Sequence, residues 1–256
     1  MQIRGICKVR DEAHIIQDTL DFWANYCNAG IHVYDDHSQD GTREICLAHP
    51  GVVEVLTSNL VDPDRERAEW FNRRLILNSA QRFLEEEDWL VYFDGDEHLE
   101  QFNLEVLTDE VDMVQCASHD VYITPEDREV SEWDYKKRRY VSQEYQLAPY
   151  FYSCRMPLDF YYPDQRNVVL AKSARVLLHG KVRHWGKGLS IKKWEGKCNY
   201  YAEVFGPKYA AKWAARRGQG VKEDMKSDYG RPLALWDDVL NERVETECRS
   251  KFQLVR

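Results

Sequence analysis

The segment Asp88-Trp89-Leu90-Val91-Tyr92-Phe93-Asp94-Gly95-Asp96-Glu97 runs five apolar or aromatic residues together and then stops in acid-Gly-acid. Such a run predicts a strand buried on both faces, with its last residues emerging from the edge of a sheet and carrying two carboxylates. Asp94 and Asp96 put two hard oxygen donors one residue apart, and Gly95 lets the backbone turn tightly between them. That pattern suits Mg2+ or Mn2+, which takes a few carboxylates and completes its shell with water and substrate phosphate. An acidic turn closing an ordinary core strand is the plain alternative, so the flanking sequence has to discriminate.

Upstream, residues 65–86 carry Trp70, Phe71, Leu75, Leu77, Ala80, Phe83 and Leu84 at helical spacing, a broad apolar face. Before that helix the chain alternates. Ile3 to Val9 is an apolar strand, Arg10-Asp11-Glu12 a loop, and Ile15, Ile16, Leu20, Trp23, Ala24 and Cys27 mark an amphipathic helix that ends at Asn28-Ala29-Gly30. Ile31 to Tyr34 is a second strand, closing in Asp35-Asp36-His37-Ser38-Gln39-Asp40-Gly41-Thr42. A short helix over 43–47 and a strand over Val52 to Leu56 follow. This order predicts an α/β fold, a Rossmann-type α/β/α sandwich with a mainly parallel central sheet, right-handed crossovers and ligands gathered at the carboxyl ends of the strands. Asp35-Asp36 and Asp94-Gly95-Asp96 then share one edge.

Downstream, Asp112 to Ser118 predicts a further strand ending in His119-Asp120, and residues 125–167 are aromatic and charge-rich with little periodicity. They read as an irregular excursion over the sheet, either an acceptor pocket or plain packing aromatics. Val168 to Ala171 with Arg175 to Leu178 suggests a hairpin, Ser190 to Arg217 a basic helical tail, and residues 233–247 a last helix. The expected organisation is a main domain over 1–190, with the acidic strand ends placing ligand binding in 1–120 and a closing region in 121–190, and a helical extension over 191–256 packed on the same domain.

Composition bounds the function. With 256 residues, 43% hydrophobic and 31% charged, the chain can bury a real core. No apolar run approaches the roughly 18 residues of a membrane span, and Met1-Gln2-Ile3-Arg4 lacks a signal-peptide core, so a cytoplasmic protein is expected, with peripheral membrane association left open. Seven cysteines at least 19 residues apart form no CxxC pair and suggest reduced thiols. The net charge of −9 hides a segregation: Lys+Arg against Asp+Glu is 16 to 34 over residues 1–171 but 13 to 2 over 172–222. The basic block is either a solvated helix face or a surface that meets an anion.

Three pieces in this order resemble the family-two-like glycosyltransferases of the GT-A fold. Val9-Arg10-Asp11-Glu12 is similar to their first-strand exit, which usually carries Asn-Glu; Asp35-Asp36-His37-Ser38-Gln39-Asp40-Gly41-Thr42 matches their Asp-Asp-x-Ser-x-Asp-Gly-Thr signature; Asp94-Gly95-Asp96 matches their DxD motif. His184, followed by Trp194, Lys197 and Tyr200, resembles the histidine and closing helix of related branches. Asp11 stands where the family favours Asn. The resemblance covers about residues 1–120 and implies a nucleotide-sugar donor, UDP being the commonest, with Mn2+ or Mg2+ as cofactor. It implies that Asp36 bonds the base, that Val9, Arg10 and Glu12 hold base and ribose, and that Asn72 or Arg73 reaches the nucleotide from a helix. Asp94 and Gly95 would face the ribose, Asp94, Asp96 and His184 the metal, and Lys187 the diphosphate. A divalent ion bridging both phosphates would stabilise the charge developing on the leaving group. An inverting enzyme needs a carboxylate base at the acceptor hydroxyl, for which Asp120 and Asp159 are the candidates.

Other classes fit less well. A haloacid-dehalogenase-type phosphatase wants Thr or Val where His98 stands, and neither a P-loop nor a GxGxxG occurs. The rival from a different class is a non-enzymatic binder of anionic surfaces or nucleic acid, using Lys192, Lys193, Lys197, Lys208, Lys212, Arg216 and Arg217 interleaved with Trp194, Tyr200, Tyr201, Tyr209 and Trp213. A binder has no need of the acidic edge. The same block could instead meet an anionic acceptor, such as a phosphorylated or lipid-linked glycan or a nucleic acid.

Overall fold

The structure is a computed structural model and describes residues 1–58, 64–160, 173–242 and 248–249. In chain order the elements are β1 (Ile3–Val9), α1 (Ile16–Ala24), β2 (Ile31–Asp35), α2 (Thr42–Ala48), β3 (Val52–Leu56), α3 (Arg65–Gln81), β4 (Trp89–Asp94) and β5 (Glu97–Glu100). They continue with β6 (Met113–Asp120), β7 (Tyr140–Ser142), β8 (Gln146–Ser153), β9 (Val176–His184), α4 (Ile191–Val204), α5 (Pro207–Ala214), β10 (Leu233–Leu235), α6 (Trp236–Asn241) and β11 (Cys248–Arg249).

Among the described residues one large sheet runs β11-β9-β6-β8-β4-β1-β2-β3, with β5 paired to β9. The expected parallel arrangement covers only one half: β3-β2-β1-β4 are parallel neighbours. Beyond β4 the sheet is mixed, because β8 enters antiparallel to both β4 and β6, while β9 is parallel to β6 and antiparallel to β5. The fold is therefore mixed α/β rather than mainly parallel. Part of the difference lies in the stretch expected to be an irregular excursion, of which residues 125–160 are described. Gln146–Ser153 is a strand in the middle of the sheet, with Tyr150, Phe151 and Tyr152 fully buried. Consecutive aromatics that fill both faces of a central strand show no alternation, which hides the strand from a period-two reading.

Two layers cover the sheet. On one face α1 buries Ile16, Leu20 and Trp23; the indole of Trp23 stacks on Phe93 at 4.5 Å and donates from Nε1 to the Glu97 carbonyl. On the other, Ile76, Leu77 and Ala80 of α3 pack on Ile6, Tyr34, Leu90 and Tyr92. The predicted face of α3 needs correcting: Phe71 and Phe83 are exposed, Phe71 lying half a turn round from Ile76 and Ala80, and the helix stops at Gln81. Pro207 breaks the basic tail into α4 and α5, which bury Trp194, Cys198 and Trp213 in a small core of their own. The expected arm Arg175 to Leu178 falls in a longer strand, Val176–His184, and the other arm of the hairpin, Val168 to Ala171, lies outside the described residues. The last predicted helix resolves into β10 and α6, with 243–247 also outside them. No helix among the described residues is long and apolar enough to cross a membrane, and the six cysteines whose side chains are described form no disulfide with one another.

Candidate active site at the carboxyl edge

Strand register assembles the site. Antiparallel pairing of β5 with β9 sets Glu97 opposite His184, and the Trp185 N–H donates to the Asp96 carbonyl at 2.8 Å. Parallel pairing of β6 with β9 sets Asp120 opposite the same His184. Three residues far apart in sequence thus meet at one point. His184 Nδ1 donates to Asp120 Oδ1 at 2.7 Å, and its Nε2 lies 3.5 Å from Asp96 Oδ1. Lys197, from α4, brings its Nζ to 3.3 Å from Asp96 Oδ2. Lys187 donates to Asp120 Oδ2 at 2.6 Å and lies 2.8 Å from Asp228, which also pairs with Arg216 and Lys222.

Charges in this cluster set each other's ionisation. Burial works against the charged forms, but Lys197 and His184 hold the Asp96 carboxyl far below its usual range, and Asp96 with Asp120 raises the His184 imidazole well above its own. Burial likewise opposes charge on Asp120, yet hydrogen bonds from His184 and the charge of Lys187 keep it strongly acidic. With both oxygens occupied and little basicity left, Asp120 suits the orienting of His184 better than the taking of a proton. Asp159, the other base candidate, is exposed and pairs with Arg74 of α3 at 2.8 Å, apart from this cluster. Glu12 packs against Gly95, and burial together with Asp96 pushes its carboxyl up to about 8.

A second charged group lies at the end of β2. Asp36 is buried and accepts from Lys8 Nζ at 3.1 Å and from Arg65, with Asn72 Nδ2 at 3.4 Å and Arg10 Nη1 at 3.7 Å. Burial opposes its ionisation, but Lys8 and Arg65 lower it to about 2. Arg10 also lies over the ring of Tyr200, an α4 residue, at 4.7 Å. Arg73 donates to the Tyr92 hydroxyl at 2.7 Å, which in turn donates to Asp94 Oδ1 at 2.6 Å. Asp94 therefore faces Arg73 and Tyr92, while Asp96 faces His184 and Lys197. Val9 contributes its carbonyl to the Asp36 N–H at 2.9 Å, and its side chain fills the space over Gly95.

Most of the Asp35–Thr42 signature serves the loop beside it. Ser38 Oγ accepts the Asp11 N–H, Asp40 Oδ2 the Ala13 N–H, and Thr42 Oγ1 the Glu12 N–H, at 3.0, 3.2 and 2.8 Å. Asp11 has φ 53° and its carboxylate accepts the Gln39 N–H at 2.7 Å. Asp and Asn both tolerate this left-handed backbone and both present an acceptor, so Asp11 serves this position as an Asn would.

The geometry at Gly186 bears on whether these donors suit a divalent ion. A Cβ placed there would lie 2.6 Å from Asp96 Oδ2, 2.7 Å from Lys197 Nζ and 2.8 Å from His184 Nε2, so a carboxylate and an imidazole converge on one small cradle. Among the described residues no three His, Cys, Asp or Glu side chains form a complete ligand set. Two protein ligands with the rest from phosphate and water is the usual arrangement for Mg2+ and Mn2+ at a nucleotide, so Asp96 and His184 fit. The Asp120 contact to Nδ1 supplies the outer partner that orients a ligating histidine. Residues that the sequence reading missed are Lys8, Arg65, Glu69 and Asp228. The spacing of Arg65, Glu69 and Arg73 at four-residue intervals was a readable signal for a charged helix face, and a lysine inside the apolar run 3–9 was another.

No protein-family profile matches the chain, and no curated protein matches it in sequence. Solved structures do resemble it. One of S. aureus TarS aligns over 85% of this chain and 43% of its own, at 14% identity and a TM-score of 0.43. Residues 1–349 of that protein align over 85% of this chain and 70% of theirs, at 15% identity and 0.38. Glucosyl-3-phosphoglycerate synthase from Mycobacterium tuberculosis, in complex with Mn2+, UDP and phosphoglyceric acid, aligns over 46% of this chain and 43% of its own, at 18% identity and 0.32. The chain thus spans less than half the length of the whole TarS and synthase chains it resembles.

Proposed function

We propose that this chain is a metal-dependent glycosyltransferase with a GT-A-like site that moves a sugar from a nucleoside-diphosphate sugar, UDP-sugar favoured, to an acceptor hydroxyl. The observation that carries it is the meeting of Asp96 and His184 on one cradle bordered by Lys197, with Asp120 and Lys187 behind the histidine, on the same sheet edge as a buried, ionised Asp36.

Each part has a task in that reaction. Asp36 offers Oδ1, engaged among the described residues only at 3.4 Å by Asn72, to a base N–H such as the imide of uracil. Asp94, fixed by Tyr92 and near Arg73, suits the ribose. Asp96 and His184 would hold the divalent ion, which would bridge the phosphates and stabilise the charge of the departing diphosphate. Lys187 adds a fixed positive charge, held in place by Asp120 and Asp228. Arg10 and Tyr200 close over the base side from opposite ends of the chain.

The acceptor is best taken as anionic. Much of the basic block is neutralised inside the protein: Arg175 by Asp112, Arg183 by Glu100, Lys193 by Asp40, and Arg216 and Lys222 by Asp228. That internal pairing removes most of the support for a general polyanion binder. Lys192, Lys212 and Arg217 remain exposed and make no ion pair among the described residues, leaving three available cations on and just after the covering helices. The test is isothermal titration of UDP with and without Mn2+. Tight binding is expected only with Mn2+ in the native protein and is expected to vanish in Asp96→Ala; equal, metal-independent binding by both proteins would refute the assignment.

A further inference from the structure

Lys197 occupies the place where the proposed site requires an ion. Its Nζ is 3.3 Å from Asp96 Oδ2 and 3.5 Å from the Gly186 carbonyl, and it borders the same cradle as His184 Nε2. The half-buried carboxyl of Glu12, which packs on Gly95, adds a favourable charge interaction with the same ammonium. The helix that carries Lys197 is fixed in register. Ser190 caps it by accepting the Lys193 N–H at 3.1 Å, Lys193 Nζ donates to the Asp11 carbonyl at 2.7 Å, and Trp194 is buried. The ammonium is therefore delivered to Asp96 by a fixed backbone on a flexible four-carbon stem.

A divalent ion entering between Asp96 and His184 would share a carboxylate with this ammonium at contact distance, and like charges so close disfavour each other. Displaced alone, the buried ammonium would lose its partner. Displaced in the presence of a donor, it gains the diphosphate oxygens in exchange. We propose that Lys197 is a resident counter-ion that keeps divalent metal out of the nucleotide-free protein and passes to the donor diphosphate when nucleotide and metal enter together. The inference rests on the glycosyltransferase reading of the site. It makes metal and nucleotide bind synergistically, each raising the other's affinity by the same factor.

The test measures Mn2+ binding to the protein without nucleotide, by the loss of the free-ion EPR signal, and repeats it with UDP. The native protein takes Mn2+ weakly alone and tightly with UDP. Lys197→Met, which keeps the stem and removes the charge, binds Mn2+ alone about tenfold or more tightly than the native protein, the scale on which neighbours of a metal site act, and loses most of the UDP synergy. Lys197→Arg stays native-like, and Lys197→Gln repeats the charge removal with a polar head if the Met variant does not fold. Gly186→Ala puts a methyl group where Asp96, His184 and Lys197 now converge, pushes their ends out of the cradle, and abolishes Mn2+ binding with and without UDP. A native protein that takes Mn2+ with UDP, while neither charge-removing variant gains affinity without it, overturns the inference and leaves the transferase reading standing. Retained Mn2+ binding in Gly186→Ala also overturns it. Native and variant proteins that all ignore Mn2+, with or without UDP, overturn the reading and the inference together.

Discussion

Replacing Asp36 with asparagine removes one negative charge from a position whose side chain is 2% exposed and which serves two buried cations. Lys8 and Arg65 keep Glu69 as a remaining anion, at 2.8 and 3.4 Å, so the loss is smaller than the ~3–5 kcal/mol of a buried charge left wholly unpaired. The native carboxyl is lowered from 3.8 to about 2, against burial, chiefly by Lys8 and Arg65. At ~1.4 kcal/mol per pH unit this is roughly 2 kcal/mol of stability. The sign follows from the direction of the shift: the folded value lies below the unfolded one, so the stabilisation is complete above about pH 4 and drains away as pH falls through about 2. Urea denaturation should give a native-minus-variant gap of roughly 2 kcal/mol at pH 7 and pH 5, shrinking to about half by pH 3. A gap that stays constant from pH 7 to pH 3 would show that asparagine disturbs packing rather than charge, and no gap at pH 7 would refute the pairing.

Two further substitutions test the frame around the site. Trp23→Ala removes a fully buried indole stacked on Phe93 and should cost ~3–5 kcal/mol by urea denaturation, more than any exposed aromatic such as Trp133. Lys181 is buried in β9 and donates to the carbonyls of Val239, Leu240 and Glu242. Lys181→Met strands those acceptors, at about 1–3 kcal/mol, and should speed proteolytic cleavage near residue 242 while the sheet stays protected; unchanged cleavage kinetics would show that the three bonds do not hold the segment.

The half of the fold built from local order was readable in the sequence. β1, β2 and β4 are short apolar runs with abrupt polar ends, and alternation with helices set their direction, so the edge carrying Asp36, Asp94 and Asp96 was legible. The other half depends on pairing between distant segments. Nothing local in Gln146–Ser153 says that it slots between β4 and β6, since Tyr150-Phe151-Tyr152 reads equally as loop packing. The role of Lys197 was likewise hidden: its nearest anion is Asp96, 101 residues away in sequence. Periodicity fixes which face of a helix is wet, but it does not say which carboxylate a lysine will meet. The four-spaced Arg65, Glu69 and Arg73 mark the opposite case, a charged stripe visible in sequence that reading for apolar residues alone passed over.

The charge segregation along the chain acquires its meaning from this geometry. An acidic amino-terminal part and a basic 172–222 block would each repel itself as an extended chain. Folded, Lys187 meets Asp120, Lys193 meets Asp40 and Lys197 meets Asp96, so the basic block closes the acidic edge like a lid whose charges are spent on the wall of the site. The pairs differ in kind. Lys193 with Asp40 binds α4 to a structural loop, and Lys187 between Asp120 and Asp228 is buried and doubly held. Lys197 alone of the three sits on the carboxylate that a divalent ion would need. A sheet edge meant only for stability would gain nothing by placing an ammonium, an imidazole and a carboxylate around a glycine with no side chain between them. The proposed exchange of one cation for another on entry of an anionic nucleotide would use all three together.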